Sequence, residues 1–166
     1  AHLVLTYVDD DEDIILTQPL AILEYVDEQY DSGFWLIPSH KLDRARVRMV
    51  SQDVACVLQP VANLRVLNKL SNQFDASADL RGAWCKDWIE TGFRAIEKRL
   101  ETTAGKFCFG FDLSMADVCL VPQVYNAERF DVDMNAFPII QRVAENCNEL
   151  EEFVKALPEN QVDAVK

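Results

Sequence analysis

The stretch TQPLAILEY (17–25) sets a polar pair ahead of an apolar pattern with helical spacing, which predicts a helix starting at Pro19. The first N–H groups of a helix lack intrahelical partners, and together with the helix dipole they can hold a carboxylate or phosphate. Proline suits the first helical position, but it has no N–H to give. Gln18 and Pro19 therefore form a candidate anion site with one donor missing. Ser114 and Asp117, three apart before the run Val118, Leu120 and Val121, have the spacing of a capping box that would start a central helix. Cys56, Cys85, Cys108, Cys119 and Cys147 form no CxxC pair, so they read as free thiols acting as small apolar groups. His2 and His40 have no partners at ligand spacing, and no metal site is expected. The acidic run DDDED (9–13) resembles the start of a calcium loop. It lacks the glycine at the sixth position and has Leu20 where the closing Glu belongs, so a solvated turn is the better reading.

The elements that must position these residues follow from hydrophobic period. LVLTYV (3–8) and IILT (14–17) read as strands of a hairpin whose tip is the acidic run, followed by a helix over 19–30. DSGFWLIPSH (31–40) reads as a linker, broken by Gly33 and Pro38. Val50, Val54, Val57, Val61, Leu64 and Leu67 are spaced three or four apart. That stripe predicts one long helix over 41–71, bent near Gln59–Pro60. Further helices are predicted over 79–103, 114–126, from Pro138 and over 149–157, with a loop at 102–112 and a loose tail from Pro158. Strands followed by a run of helices give an α+β part, residues 1–30, a linker, 31–40, and an all-α part, 41–166. Strand 3–8 is apolar on both faces, as a strand inside a sheet would be, so another segment or subunit is expected to cover its edge.

The chain of 166 residues carries 28 acidic and 16 basic side chains, a net charge of −12. That balance argues against nucleic acid or an anionic membrane surface as a partner. No apolar run approaches the roughly 20 residues of a membrane span, and no signal peptide is visible. With the free thiols, this points to a reducing compartment, cytoplasm or mitochondrion, rather than secretion. The opening AHLVLTYV, without Met and already apolar, has the look of a missing beginning.

SMADVCLVPQVYNAERFDVD (114–133), VRMVSQDVACVLQPVANLRVL (47–67), TQPLAILEYVDE (17–28) and PENQVDA (158–164) resemble the zeta-class glutathione transferases, the maleylacetoacetate isomerases. The resemblance runs from about residue 3 to the C-terminus. It implies a partial thioredoxin-like unit, here a β-hairpin and a helix, followed by the all-helical C-terminal domain of a glutathione transferase. It also implies glutathione as cosubstrate, a homodimer or larger assembly, and cis–trans isomerisation of maleylacetoacetate in tyrosine breakdown. The family's serine- and cysteine-containing catalytic motif matches no stretch of these residues, so no catalytic residue is assigned. The glutathione contacts carry over to Gln18, Gln59, Asn63 and Leu64. Pro19 stands where the family has a serine, and Arg65 replaces a small polar residue. Arg129, in NAERF, matches an arginine facing the substrate's carboxylate. Loss of the serine hydroxyl and N–H at Pro19 predicts weak glutathione binding. The alternative is a non-catalytic scaffold or accessory subunit that keeps the helical core.

Overall fold

The computed structural model describes residues 4–9, 12–30, 35–162 and 164, with the backbone alone at 4–9 and 12–14. Strands β1 (Val4–Asp9) and β2 (Glu12–Thr17) pair antiparallel, Val4 opposite Thr17 and Asp9 opposite Glu12. Residues 10 and 11, between the two strands, lie outside the described residues. The acidic run is not a five-residue tip, because Asp9, Glu12 and Asp13 belong to the ladder. The backbone pairing thus extends past the apolar stretch. Leu3, at the start of the expected strand, also lies outside the described residues.

Helix α1 (Pro19–Gln29) begins at Pro19 as predicted. It buries Ile22 and packs Leu20 and Leu23 against the main core. Two carboxylates anchor it. Glu24 takes both ends of the Arg48 fork at 2.8 and 2.9 Å. Buried Asp27 accepts the N–H groups of Leu36 and Ile37 at 2.7 and 3.1 Å. The Leu36 carbonyl in turn accepts the N–H of Met115 at 2.9 Å. Leu36 is thus fastened on both sides, to α1 through its N–H and to Met115 through its carbonyl.

The predicted long helix over 41–71 is broken. Helix α2 (Lys41–Gln52) runs into a π-helical turn, Asp53–Leu58, then one short turn, α3 (Gln59–Val61). The Gln59 N–H reaches back to the Val54 carbonyl, a π-type bond just ahead of Pro60. Pro60 has no N–H to continue the ladder. The indole of Trp84 donates to the Val61 carbonyl at 2.9 Å, satisfying a helix-end acceptor. Asn63 is extended (φ −68°, ψ 144°), and its side chain accepts from the Arg65 N–H to cap α4 (Leu64–Phe74). The apolar stripe loses its phase at the π turn: Leu58 enters the core, and Val57 and Leu64 are left exposed.

Helices α5 (Ala78–Leu100), α6 (Met115–Arg129), α7 (Pro138–Asn148) and α8 (Glu151–Ala156) complete the molecule. The core is built from Val47, Val50, Val54 and Leu58, facing Ile89, Phe93, Ile96 and Leu100, with α6 and α7 closing it. Phe93 meets Phe137 edge to face at 5.5 Å. Glu97 accepts the Ile139 and Ile140 N–H groups at 2.8 and 3.0 Å, holding the start of α7. The start of the tail is docked rather than loose: Tyr125 donates to Glu159 at 2.6 Å, and Asn160 and Gln161 donate to carbonyls of Val154 and Lys155. Among the described residues, no helix is long and apolar enough to cross a membrane.

Candidate functional site

The candidate residues fall at three helix boundaries, and all of them face solvent. Gln18 is the N-cap of α1, with φ 76° and ψ 117°, in the region that favours glycine. Its carbonyl accepts the Ile22 N–H at 3.1 Å. A glutamine held there costs about 1–3 kcal/mol, and such outliers gather at ligand sites. Nothing in the sequence signals it, since a residue before proline ordinarily takes an extended φ. Pro19 occupies the first helical position, so the anion donors left in that turn are the N–H groups of Leu20 and Ala21.

Gln59, Asn63, Leu64 and Arg65 cluster at the break between α3 and α4. The break sets Asn63 in an extended conformation and opens the first turn of α4. Asn63 is partly occupied as a cap, since its Oδ1 takes the Arg65 N–H at 3.1 Å. Leu64 is an exposed apolar side chain, at 67%. Among the described residues no hydrogen bond or ion pair joins this cluster to Gln18 or Pro19.

Arg129 ends α6, where the helix dipole favours a cation. Asp131 follows in a left-handed conformation (φ 55°), and Lys86 donates to its carbonyl at 2.6 Å. That contact fixes the helix end on α5. Among the described residues Arg129 makes no ion pair, with Glu128 or with any other carboxylate. One turn earlier, the hydrogen bond to Glu159 raises the Tyr125 phenol, while the Arg129 charge pulls it the other way. Among the described residues Arg129 is therefore a cation without an ion pair, on the same helical face as the tail latch.

At the other end of α6 the capping box is present at Ser114 and Asp117. Asp117 does more than cap. It is fully buried and takes three bonds, from the Cys108 N–H at 2.7 Å, the Ser114 N–H at 2.8 Å and the Ser114 hydroxyl at 2.7 Å. Burial, reinforced by the Asp117 charge, lifts Cys108 well above the ordinary thiol range and pushes Cys147 up to about 12. Cys119, chiefly through burial, is pushed up to about 11. These thiols stay protonated and inert. Cys56, exposed on the π turn, departs from the expected apolar role. No group of His, Cys, Asp and Glu able to hold a metal exists among the described residues.

No family model matches the chain. It is 44% identical over 154 residues to the probable maleylacetoacetate isomerase of Vibrio cholerae, covering 93% of this chain and 71% of that protein. A holo maleylpyruvate isomerase, a bacterial zeta-class glutathione transferase, superposes with a TM-score of 0.90 at 37% identity, covering 98% of this chain and 75% of that one. The maleylacetoacetate isomerase of Anaeromyxobacter dehalogenans, solved with dicarboxyethyl glutathione and citrate in its active site, gives 0.91 at 35% identity, covering 98% and 72%. The strand pair, linker and helical bundle are thus those of a glutathione transferase, a partial thioredoxin-like unit joined to the helical domain. Within that class, the chain belongs to the maleylacetoacetate isomerase family, the zeta class.

Proposed function

We propose that this protein takes part in glutathione-dependent cis–trans isomerisation of a maleyl-type diacid, with Arg129 reading a substrate carboxylate. The observation that carries this is Arg129 at the end of α6, an exposed cation without an ion pair among the described residues, on a chain of net charge −12. In the reaction, the thiolate of glutathione adds to the conjugated double bond, the new single bond rotates, and the thiolate leaves. No other reactant is consumed. Arg129 would hold the diacid by charge-assisted hydrogen bonds while the central bond turns. Gln59, Asn63, Leu64 and Arg65 would form one wall of the glutathione site, and Gln18 with the first turn of α1 the other. Residues 1–30 are assigned to the glutathione-binding domain, 31–40 to the linker and 41–166 to the helical domain. No thiol-activating residue is assigned within these 166 residues. Exposed Val57, Leu64, Phe74 and Leu80 favour a homodimer or larger assembly, which would also cover the outer edge of β1.

The test is titration of the chain with maleate, followed by the Nε–H resonance of Arg129. Maleate should shift that resonance, and Arg129→Gln should abolish binding. Glutathione alone should bind with a dissociation constant above about 100 µM, near −5.5 kcal/mol. Maleate binding that survives Arg129→Gln overturns the substrate role. Tighter glutathione binding overturns the reading of Pro19.

A further inference from the structure

Two adjoining cavities lie at the end of α6 opposite Arg129, roughly 22 Å away by helical rise from Ser114. The larger, of about 630 Å³, has apolar walls from Trp35, Pro38, Phe109 and Leu113. The smaller, of about 180 Å³, is lined by Arg46, Arg99, Met49, Val50, Thr103 and Phe109. Thr103 and Phe109 face both.

The smaller cavity gathers donors that the protein leaves unused. The Thr103 hydroxyl oxygen is buried and has no hydrogen-bond partner. Arg99 Nε forms an ion pair with Asp53 Oδ2 at 2.8 Å, an oxygen that accepts no hydrogen bond, and Arg46 donates one terminal nitrogen to Asp43 at 3.3 Å. A guanidinium carries five N–H donors in a planar fork, so each arginine keeps most of its own. Asp43 and Asp53 already balance the two positive charges. Attraction for an anion there must come from directed N–H groups, which suit a planar monocarboxylate better than a multiply charged phosphate. Met49, Val50 and Phe109 supply apolar surface beside those donors. Asp112, on the wall of the larger cavity, disfavours a second negative group farther out.

We propose that these cavities form a binding site for an aromatic monocarboxylate. Its carboxylate lies on Arg46, Arg99 and the Thr103 hydroxyl, and its ring lies against Phe109, Met49 and Val50. The site shares no residue with the Arg129 end of α6 and does not depend on the isomerase assignment.

The test uses 2-naphthoate titrated into the 166-residue chain, followed by the methyl resonances of Thr103, Val50 and Met49. Saturable shifts at these methyls are expected, and they should persist in Arg129→Gln. The neutral isostere 2-naphthylmethanol should bind about tenfold more weakly or worse, and Arg99→Gln should raise the dissociation constant by about tenfold. Thr103→Val should weaken binding about threefold while raising the thermal midpoint of the free protein, because an unpartnered buried hydroxyl is removed. Arg46→Gln serves if Arg99→Gln fails to fold. Absence of saturable shifts up to about 5 mM ligand overturns the proposal. So does equal affinity for the neutral ring, or an affinity untouched by loss of either arginine.

Discussion

Asp117 is the residue on which the helical domain turns. Its carboxylate sits fully buried, with no ion pair among the described residues, and three donors from two segments converge on it. A charge placed so deep is tolerated when its acceptor sites are filled. Ser114→Ala removes one hydroxyl donor, so a loss of about 0.5–2 kcal/mol in urea stability is expected. Asp117→Asn keeps the shape but turns an amide NH₂ toward groups that are themselves donors. Orphaned buried donors cost about 1–3 kcal/mol each, so its loss should be the larger, about 3 kcal/mol or more. Equal midpoint shifts in the two variants would reduce Asp117 to an ordinary cap. The Ser-x-x-Asp spacing made the cap legible in the sequence. The bond to Cys108 was not, because it joins a loop to a helix through a fold the spacing does not encode.

The π turn shows where element prediction from period succeeds and where it stops. The stripe marks the buried face only at Val50 and Val54; at the π turn Leu58 takes the core position, while Val57 and Leu64 face solvent. Period alone does not separate a bent helix from a broken one. Pro60 marked the weak point, but only the backbone at Asn63 reveals a new N-cap. The acidic run misled for a related reason, since charge marks exposure and not the end of a strand. Gly92 is the contact that accommodates the π turn on α5. A Cβ there would meet the Leu58 side chain at 2.0 Å, and Leu58 is fully buried. Ala ordinarily favours a helix over Gly by about 1 kcal/mol. Here overpacking should outweigh that gain, so Gly92→Ala is expected to cost about 1–3 kcal/mol. Thermal melts of the variant check it, and a rise in midpoint would mean that the π turn yields freely.

At the scale of the whole molecule, the raised thiols set an alkaline limit. Cys119 and Cys147 ionise near 11 and 12 when folded, and the ordinary thiol value is 9.0. Above pH 9 the unfolded chain therefore loses protons that the folded chain keeps. Their contribution is fully present below that pH and is lost as pH rises toward 11 to 12, at about 1.4 kcal/mol per pH unit for each thiol. Urea midpoints measured from pH 8 to 10.5 should fall, and a Cys147→Ala variant should fall less steeply. The fold class was legible because strand and helix signals are segregated along the chain. The site was legible only piecewise: the sequence named Arg129 and the Gln59–Arg65 cluster as candidates, but their placing at a helix end and a helix break, the positive φ of Gln18 and the tail latch on Tyr125 depend on packing. The double fastening of Leu36 has a consequence in time as well as in space. Its N–H is held by Asp27 and its carbonyl by Met115, so the segment between the two parts cannot open without releasing both helices. Its amide hydrogen should exchange with deuterium at the rate of global unfolding, not at the fast rate of a surface connector. Asp27→Asn should return it to the fast regime while amides in the middle of α5 remain slow.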